Sequence, residues 1–187
     1  FDGNNPKAAE VIRGRAESLE CPWYEMKEEN QKLQDYTPEG IRFVSDSRVY
    51  GETELFVPFI ARYQMMNAAL ALEAMGVLKK DHHLEKDTLI RGMRNTRWQG
   101  RMETILPGVI VDGAHNEDGI AKFAETVEFF QKDYPITLLF STVSDKDFRD
   151  MIHEICRGLH FSCVVTTEIW GSRKQSAAEL AELFKKE

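Results

Sequence analysis

Apolar residues recur along this chain with two periods, and the changes of period mark out its elements. Asn5 to Leu19 places Ala8, Ala9, Ile12 and Ala16 roughly one helical turn apart, which predicts an amphipathic helix. Trp23 to Met26 reads as a short strand, and the polar, charged stretch Lys27 to Glu39, ending in Thr37-Pro38-Glu39-Gly40, reads as a loop closed by a turn. Ile41 to Val44 alternates, and Glu54 to Pro58 follows Gly51, so the two predict an antiparallel pair or meander. From Arg62 to Leu78 the chain is rich in Ala, Leu and Met, with small Ala68, Ala69, Ala71 and Ala74, which predicts a closely packed helix. Leu84 to Arg94 predicts a shorter one with Gly92 near its end.

Past Asn95 strands and helices alternate. Gly108 to Val111 is a β-branched run without polar alternation, the pattern of a strand covered on both faces. The helix after it carries Ile120, Phe123, Ala124, Val127 and Phe130 on one face, with Asn116 or Asp118 as its cap. Ile136 to Val143 predicts a second buried strand. Asp147 to Arg157 predicts a helix facing inward with Phe148, Met151, Ile152 and Ile155. Phe161 to Thr166 predicts a third strand, and Ser176 to Lys186 a last helix that buries Leu180, Leu183 and Phe184. Strands separated by helices pair in parallel through right-handed crossovers. The expected class is therefore α/β: a Rossmann-like three-layer unit with a mostly parallel sheet, preceded by a helical and small β segment.

Composition narrows the chemistry. The 187 residues are 42% hydrophobic, enough for a core, and the net charge of -7 argues against a grip on nucleic-acid phosphates. Cys21, Cys156 and Cys163 are odd in number and lack the close paired spacing of a disulfide framework or a zinc site, which suits a reducing cytoplasm. No apolar run is long enough to cross a bilayer, and the first residues lack signal-peptide character. GxGxxG and GxxxxGK[ST] are both absent, and with them the glycine-rich phosphate cradles.

The strongest candidate site is Val109 to Gly119, VIVDGAHNEDG. A strand that delivers Asp112 and His115 to its carboxyl end, just before a helix N-terminus, places them where open α/β sheets gather ligand-binding groups. The ordinary alternative is a solvated turn aspartate and a surface imidazole. Asn67, among alanines, has its own ordinary reading as a partner of neighbouring backbone. Arg101 and Glu103 likewise read as a surface ion pair, and Asp145 and Asp147 as helix caps.

Four motifs in order, Arg62-Tyr63-Gln64-Met65-Met66-Asn67-Ala68-Ala69-Leu70-Ala71, Gly100-Arg101-Met102-Glu103, Asp112-Gly113-Ala114-His115-Asn116 and Ser144-Asp145-Lys146-Asp147, resemble those of folylpolyglutamate synthases and their bifunctional dihydrofolate synthase relatives. These families belong with the Mur ligases, whose peptidoglycan branch usually carries tyrosine where Gly113 stands, so the wording favours the folate branch. The resemblance implies an ATP-dependent carboxylate-amine ligase, in which ATP phosphorylates a substrate carboxylate and the amino group of L-glutamate attacks the acyl phosphate. It implies that Asn67, Arg101 and Asp112 bind the nucleotide and that His115 is catalytic, beside the phosphates or the incoming glutamate. Folate or dihydropteroate, L-glutamate and ATP are the implied small-molecule partners, with Mg2+ as a cofactor whose ligands lie outside this chain.

The resemblance further implies two parts. Residues 1 to 96 would be the end of the central ATPase domain, and 97 to 187 most of the C-terminal domain, incomplete at its end, with Asn95 to Gln99 as linker. The family's phosphate loop, magnesium ligands and modified lysine precede the segment matching Phe1, so the remainder of the enzyme is expected upstream and the isolated chain is not expected to turn over. Two other readings stay open at this point: a non-catalytic nucleotide-binding or interaction module that keeps the fold, and a piece of a peptidoglycan ligase.

Overall fold

A computed structural model of the chain describes every residue except 83, and every side chain outside 80–83. The chain divides into two compact units, Phe1–Gln99 and Gly100–Glu187.

The first unit opens with α1 (Pro6–Ser18), begun by Asn5, whose side chain accepts the Ala8 N–H, and by proline at the first helical position, where no N–H is required. Of the face expected to turn inward only Ala9 is buried, while Ala8 and Ile12 stay exposed. Trp23 to Met26 is no strand: its sole ladder contact is a bridge between Asp2 and Met26. The stretch expected as a loop contains β1 (Gln31–Thr37), which pairs antiparallel with β2 (Gly40–Ser47), and β2 pairs in turn with β3 (Gly51–Val57). As an outer strand with mostly solvated side chains, β1 needs no apolar alternation, which is why its sequence concealed it. The meander buries Ile41, Phe43, Leu55 and Val57 on one face, against Met65 and Leu72 of α2 (Gln64–His82), with Leu89, Ile90 and Met93 of α3 (Lys86–Arg94) at the margin. The helix and meander predictions for this unit hold.

In the second unit, β4 (Glu103–Leu106) and β5 (Val109–Val111) form an antiparallel hairpin, and α4 (Glu117–Gln131) leads to β6 (Thr137–Phe140). Next come α5 (Phe148–Gly158), β7 (Cys163–Thr166), which pairs parallel with β6, and α6 (Ala177–Phe184). The α/β class stands, and β6–β7 gives it the parallel pair that the intervening helix requires. The expectation for β5 does not hold: Val109, Ile110 and Val111 are 43%, 42% and 40% exposed, and the strand pairs with β4 instead of entering a parallel sheet. Pro107-Gly108 explains this. Proline fixes φ at the first central position of a turn and Gly108 takes φ 77° at the second, so the chain reverses before Val109. Likewise β6 alternates, with Leu138 and Phe140 buried and Leu139 facing out. The inward faces of the helices are as expected, with Ile120 and Val127 of α4, Met151, Ile152 and Ile155 of α5 and Leu180 of α6 buried.

No helix among the described residues is long and apolar enough to cross a membrane.

Candidate functional site

The backbone leaving β5 turns through Asp112–His115 into α4, and this turn meets a second one, Gly100–Glu103, that precedes β4. The Asp112 carboxylate joins them: Oδ2 accepts the Met102 N–H at 2.8 Å and Oδ1 accepts the Ala114 N–H at 2.8 Å. The Gly113 N–H donates to the Gly100 carbonyl at 2.8 Å, and the Gly100 N–H donates to Glu103 Oε2 at 2.8 Å. Two turns distant in sequence are thereby fastened by their own amides.

Arg101 lies between two left-handed residues, Gly100 at φ 66° and Met102 at φ 47°. Glycine takes that conformation freely, whereas a side-chain-bearing residue there costs on the order of 1 kcal/mol and needs surroundings that over-determine it. Met102 has such surroundings: its N–H is held by Asp112 and its side chain is only 2% exposed. The backbones also run close together, since a Cβ added to Gly113 would stand 3.3 Å from the Gly100 carbonyl oxygen.

The exposed His115 places Nδ1 2.8 Å from the Gly113 carbonyl oxygen. A carbonyl can only accept, so Nδ1 donates in this contact, and in the neutral ring Nε2 is the acceptor nitrogen. Of the two candidate caps, Asn116 serves: its Oδ1 accepts the Gly119 N–H at 2.8 Å, while Glu117 and Asp118 place negative charge in the first turn of α4, where the helix dipole favours it.

Arg101, Asp112 and His115 thus lie on two bonded turns of the second unit. Asn67 belongs to the first unit, exposed in the first turn of α2, where its Nδ2 donates to Gln64 Oε1 at 3.0 Å. In the Ser144–Asp147 motif the aspartates have local work: Asp147 Oδ1 accepts the Asp150 N–H of α5 at 3.4 Å, and Asp145 pairs with Arg173 at 3.0 Å. Among the described residues no group of three or more His, Cys, Asp or Glu is arranged to hold a metal ion. The first unit also has a cleft of about 450 Å³, lined by Ile12, Trp23, Tyr24, Leu70 and Val77 among others, and Asn67 is not part of its wall.

Sequence reasoning did not assign a role to Glu103 as a backbone acceptor or to the Met102 conformation. The available signal was a glycine three residues before a carboxylate at the mouth of a strand, a spacing that lets the side chain reach back to the glycine N–H.

Residues 100–187 match the family model for the Mur ligase, glutamate ligase domain. The chain is 30% identical over 165 residues to the dihydrofolate synthase/folylpolyglutamate synthase of Bacillus subtilis, a match covering 84% of this chain and 38% of that protein. In fold it is similar to the folylpolyglutamate synthase of Thermotoga maritima, with a TM-score of 0.79 and 21% identity over 98% of this chain and 43% of the other. It is likewise similar to the Mycobacterium tuberculosis folylpolyglutamate synthase complexed with ADP and AMPPCP, with a TM-score of 0.79 and 21% identity over 97% of this chain and 41% of the other. The chain spans about two fifths of the length of these relatives.

Proposed function

Residues 100–187 belong to the Mur ligase glutamate ligase domain family, and from that premise we propose that the chain is part of an ATP-dependent ligase that adds L-glutamate to folate, with dihydropteroate as a second acceptor. A free carboxylate is a poor electrophile. Transfer of the γ-phosphoryl group to its oxygen, with departure of ADP, gives an acyl phosphate. The glutamate amine then attacks the acyl carbon, phosphate leaves, and the amine loses a proton as the amide forms. The transferring phosphoryl group carries negative charge that must be met by aimed cations and donors.

The observation that supports this reading is the bonded pair of turns on which Arg101 and His115 lie. Arg101 contributes a planar guanidinium suited to phosphate oxygens. His115 Nε2, free to accept because Nδ1–H is committed to Gly113, takes the proton from the incoming amine. Asp112 is assigned to nucleotide binding through the turn that it holds. Asn67, in the other unit, is assigned on its own footing as a nucleotide contact, by virtue of its exposed amide in the first turn of α2. Mg2+ would help neutralise the phosphates, but the acidic groups described here do not form a cage for it, and no step is routed through one.

The test is glutamate transfer by the protein expressed from its complete reading frame, with labelled L-glutamate, ATP, and either tetrahydrofolate or dihydropteroate as acceptor. Formation of a γ-linked or first glutamyl amide with stoichiometric ADP release is expected, with Arg101→Ala and His115→Ala each lowering kcat/KM. Transfer to neither pterin, or normal kinetics in both variants, would refute the reading. Activity only with a nucleotide-linked peptide acceptor would move the protein to the peptidoglycan branch.

A further inference from the structure

We propose that the buried face of the meander binds an ordered water molecule between Gln31 and Ser45, and that this water fastens the start of β1 in register on β2. The strand pairing sets side chains in cross-strand rows. Tyr36, Ile41 and Val57 form one row and Leu33, Phe43 and Leu55 the next, whereas the third consists of Gln31, Ser45 and Thr53. Two rows are apolar and one is polar. The Thr53 hydroxyl has its own bond, donated to the Gly51 carbonyl at 2.9 Å. Ser45 is fully buried, and among the described residues its Oγ has no hydrogen-bond partner; the same holds for Gln31 Nε2 and Oε1, both shielded from bulk solvent.

A buried donor or acceptor that forgoes its bond loses the full desolvation energy of the group, and three such atoms would take a large share of the narrow margin that keeps a small domain folded. Buried polar groups are therefore bonded to protein or to internal water, and such a water typically makes about three hydrogen bonds. Gln31 and Ser45 supply that number. A primary amide can donate from Nε2 and accept at Oε1 with one water, whose remaining proton or lone pair meets the Ser45 hydroxyl, a group that serves either role. The Cβ atoms of directly opposed residues stand about 5 Å apart, and the two side chains do not close that gap themselves. A bridging water does so at ordinary hydrogen-bond lengths. The gain is positional. Because β1 is an outer strand with mostly solvated side chains, little apolar burial opposes a slip, and a shift of one residue would turn Gln31 to the other face and set Asn30 or Lys32 opposite Ser45.

The test reads water-to-protein cross-relaxation in the 187-residue chain at the Gln31 side-chain amide, with the exposed Gln34 of the same strand as control. A long-lived water signal is expected at Gln31 and none at Gln34. Stabilities of Gln31→Met, Ser45→Ala and the double variant come from thermal melts followed through the methyl signals of the buried Ile41 and Leu55. Each single variant removes part of the water's coordination and is expected to lower the melting temperature by about 4–8 °C. The double variant should fall little further than the worse single one, because both changes act on one shared molecule. In Gln31→Met the cross-strand contacts between positions 31 and 45 are expected to weaken while those between Leu33 and Phe43 persist. An unchanged or raised melting temperature in a single variant shows that the replaced atoms held no bond, and overturns the proposal. Additive losses do the same, since they deny a common partner. Coupled losses with no water signal at Gln31 assign a direct bond between the two side chains and equally refute it, and unchanged contacts at positions 31 and 45 refute the register role. If Ser45→Ala fails to fold, the water signal of the parent chain and the Gln31→Met melt decide.

Discussion

Replacing Asp112 by alanine should destabilise Gly100–Glu187 more than any other single loss of a surface carboxylate in that unit. Two amide donors lose a charged acceptor at 2.8 Å each. Hydrogen bonds to charged groups contribute roughly 1.5–3 kcal/mol each, and a donor left unsatisfied in a buried place costs about 1–3 kcal/mol. Met102 is nearly inaccessible, so its N–H gains little from water; Ala114 is half-buried and can be hydrated, which discounts the second bond. The sum is about 2–4 kcal/mol, and at roughly 4–8 °C per kcal/mol for a domain under about 100 residues the melting temperature should fall by at least about 8 °C. The assay is a thermal melt followed through the Ile152 and Ile155 methyl signals, with Asp118→Ala as a control that removes the same charge from an exposed position of α4. If the two variants melt within about 2 °C of each other, the two amide bonds contribute nothing beyond surface charge, and the account of this turn is wrong.

Asn116→Ala should cost about 1 kcal/mol through loss of the α4 cap, whereas Asn116→Asp, whose carboxylate can accept the Gly119 N–H and suits the helix dipole, should melt with the parent chain. In the first unit the Arg13 guanidinium, 2.6 Å from Glu25 and hydrogen-bonded to it, holds the Glu25 carboxyl below its ordinary value of 4.5, with Lys27 assisting. A depressed carboxylate stabilises the fold at pH values above its unfolded value and loses that contribution as pH falls through the lower folded value. Glu25→Gln should therefore flatten the fall in stability of Phe1–Gln99 below about pH 4.5, and an unchanged acid slope would contradict the pairing. Burial pushes the Cys156 thiol up, with Glu187 adding to the shift, while Cys21 and Cys163 are exposed. Iodoacetamide at pH 8 should label Cys21 and Cys163 before Cys156, as read by peptide mass spectrometry; equal rates would refute the burial argument.

Periodicity carried the helices and the meander because their energetics are written locally. An apolar stripe at 3.6 residues per turn, as in Met151, Ile152 and Ile155, has few ways to be buried except as a helix face. The order strand, turn, helix around Asp112–Asn116 was legible for the same reason, and the Asn116 cap follows from a short polar side chain next to a helical stripe. Pro107-Gly108 was equally present in the sequence, yet the apolar run beside it outweighed a turn signal that fixes the direction of β5. Concealed altogether was β1, because an outer strand is held by backbone bonds to β2 and leaves its side chains to water.

Amino-acid order by itself determined the element types, the helix faces and the residues that carry the family likeness, since propensity and amphipathic pattern act over a few neighbours. Only the tertiary structure decided which amides Asp112 and Glu103 would satisfy, that Met102 would be held left-handed, and which nitrogen of His115 would remain an acceptor. The bond that joins the two turns brings the Asp112 carboxylate within 2.8 Å of an N–H ten residues away, and a backbone N–H looks the same at every position until folding chooses its partner.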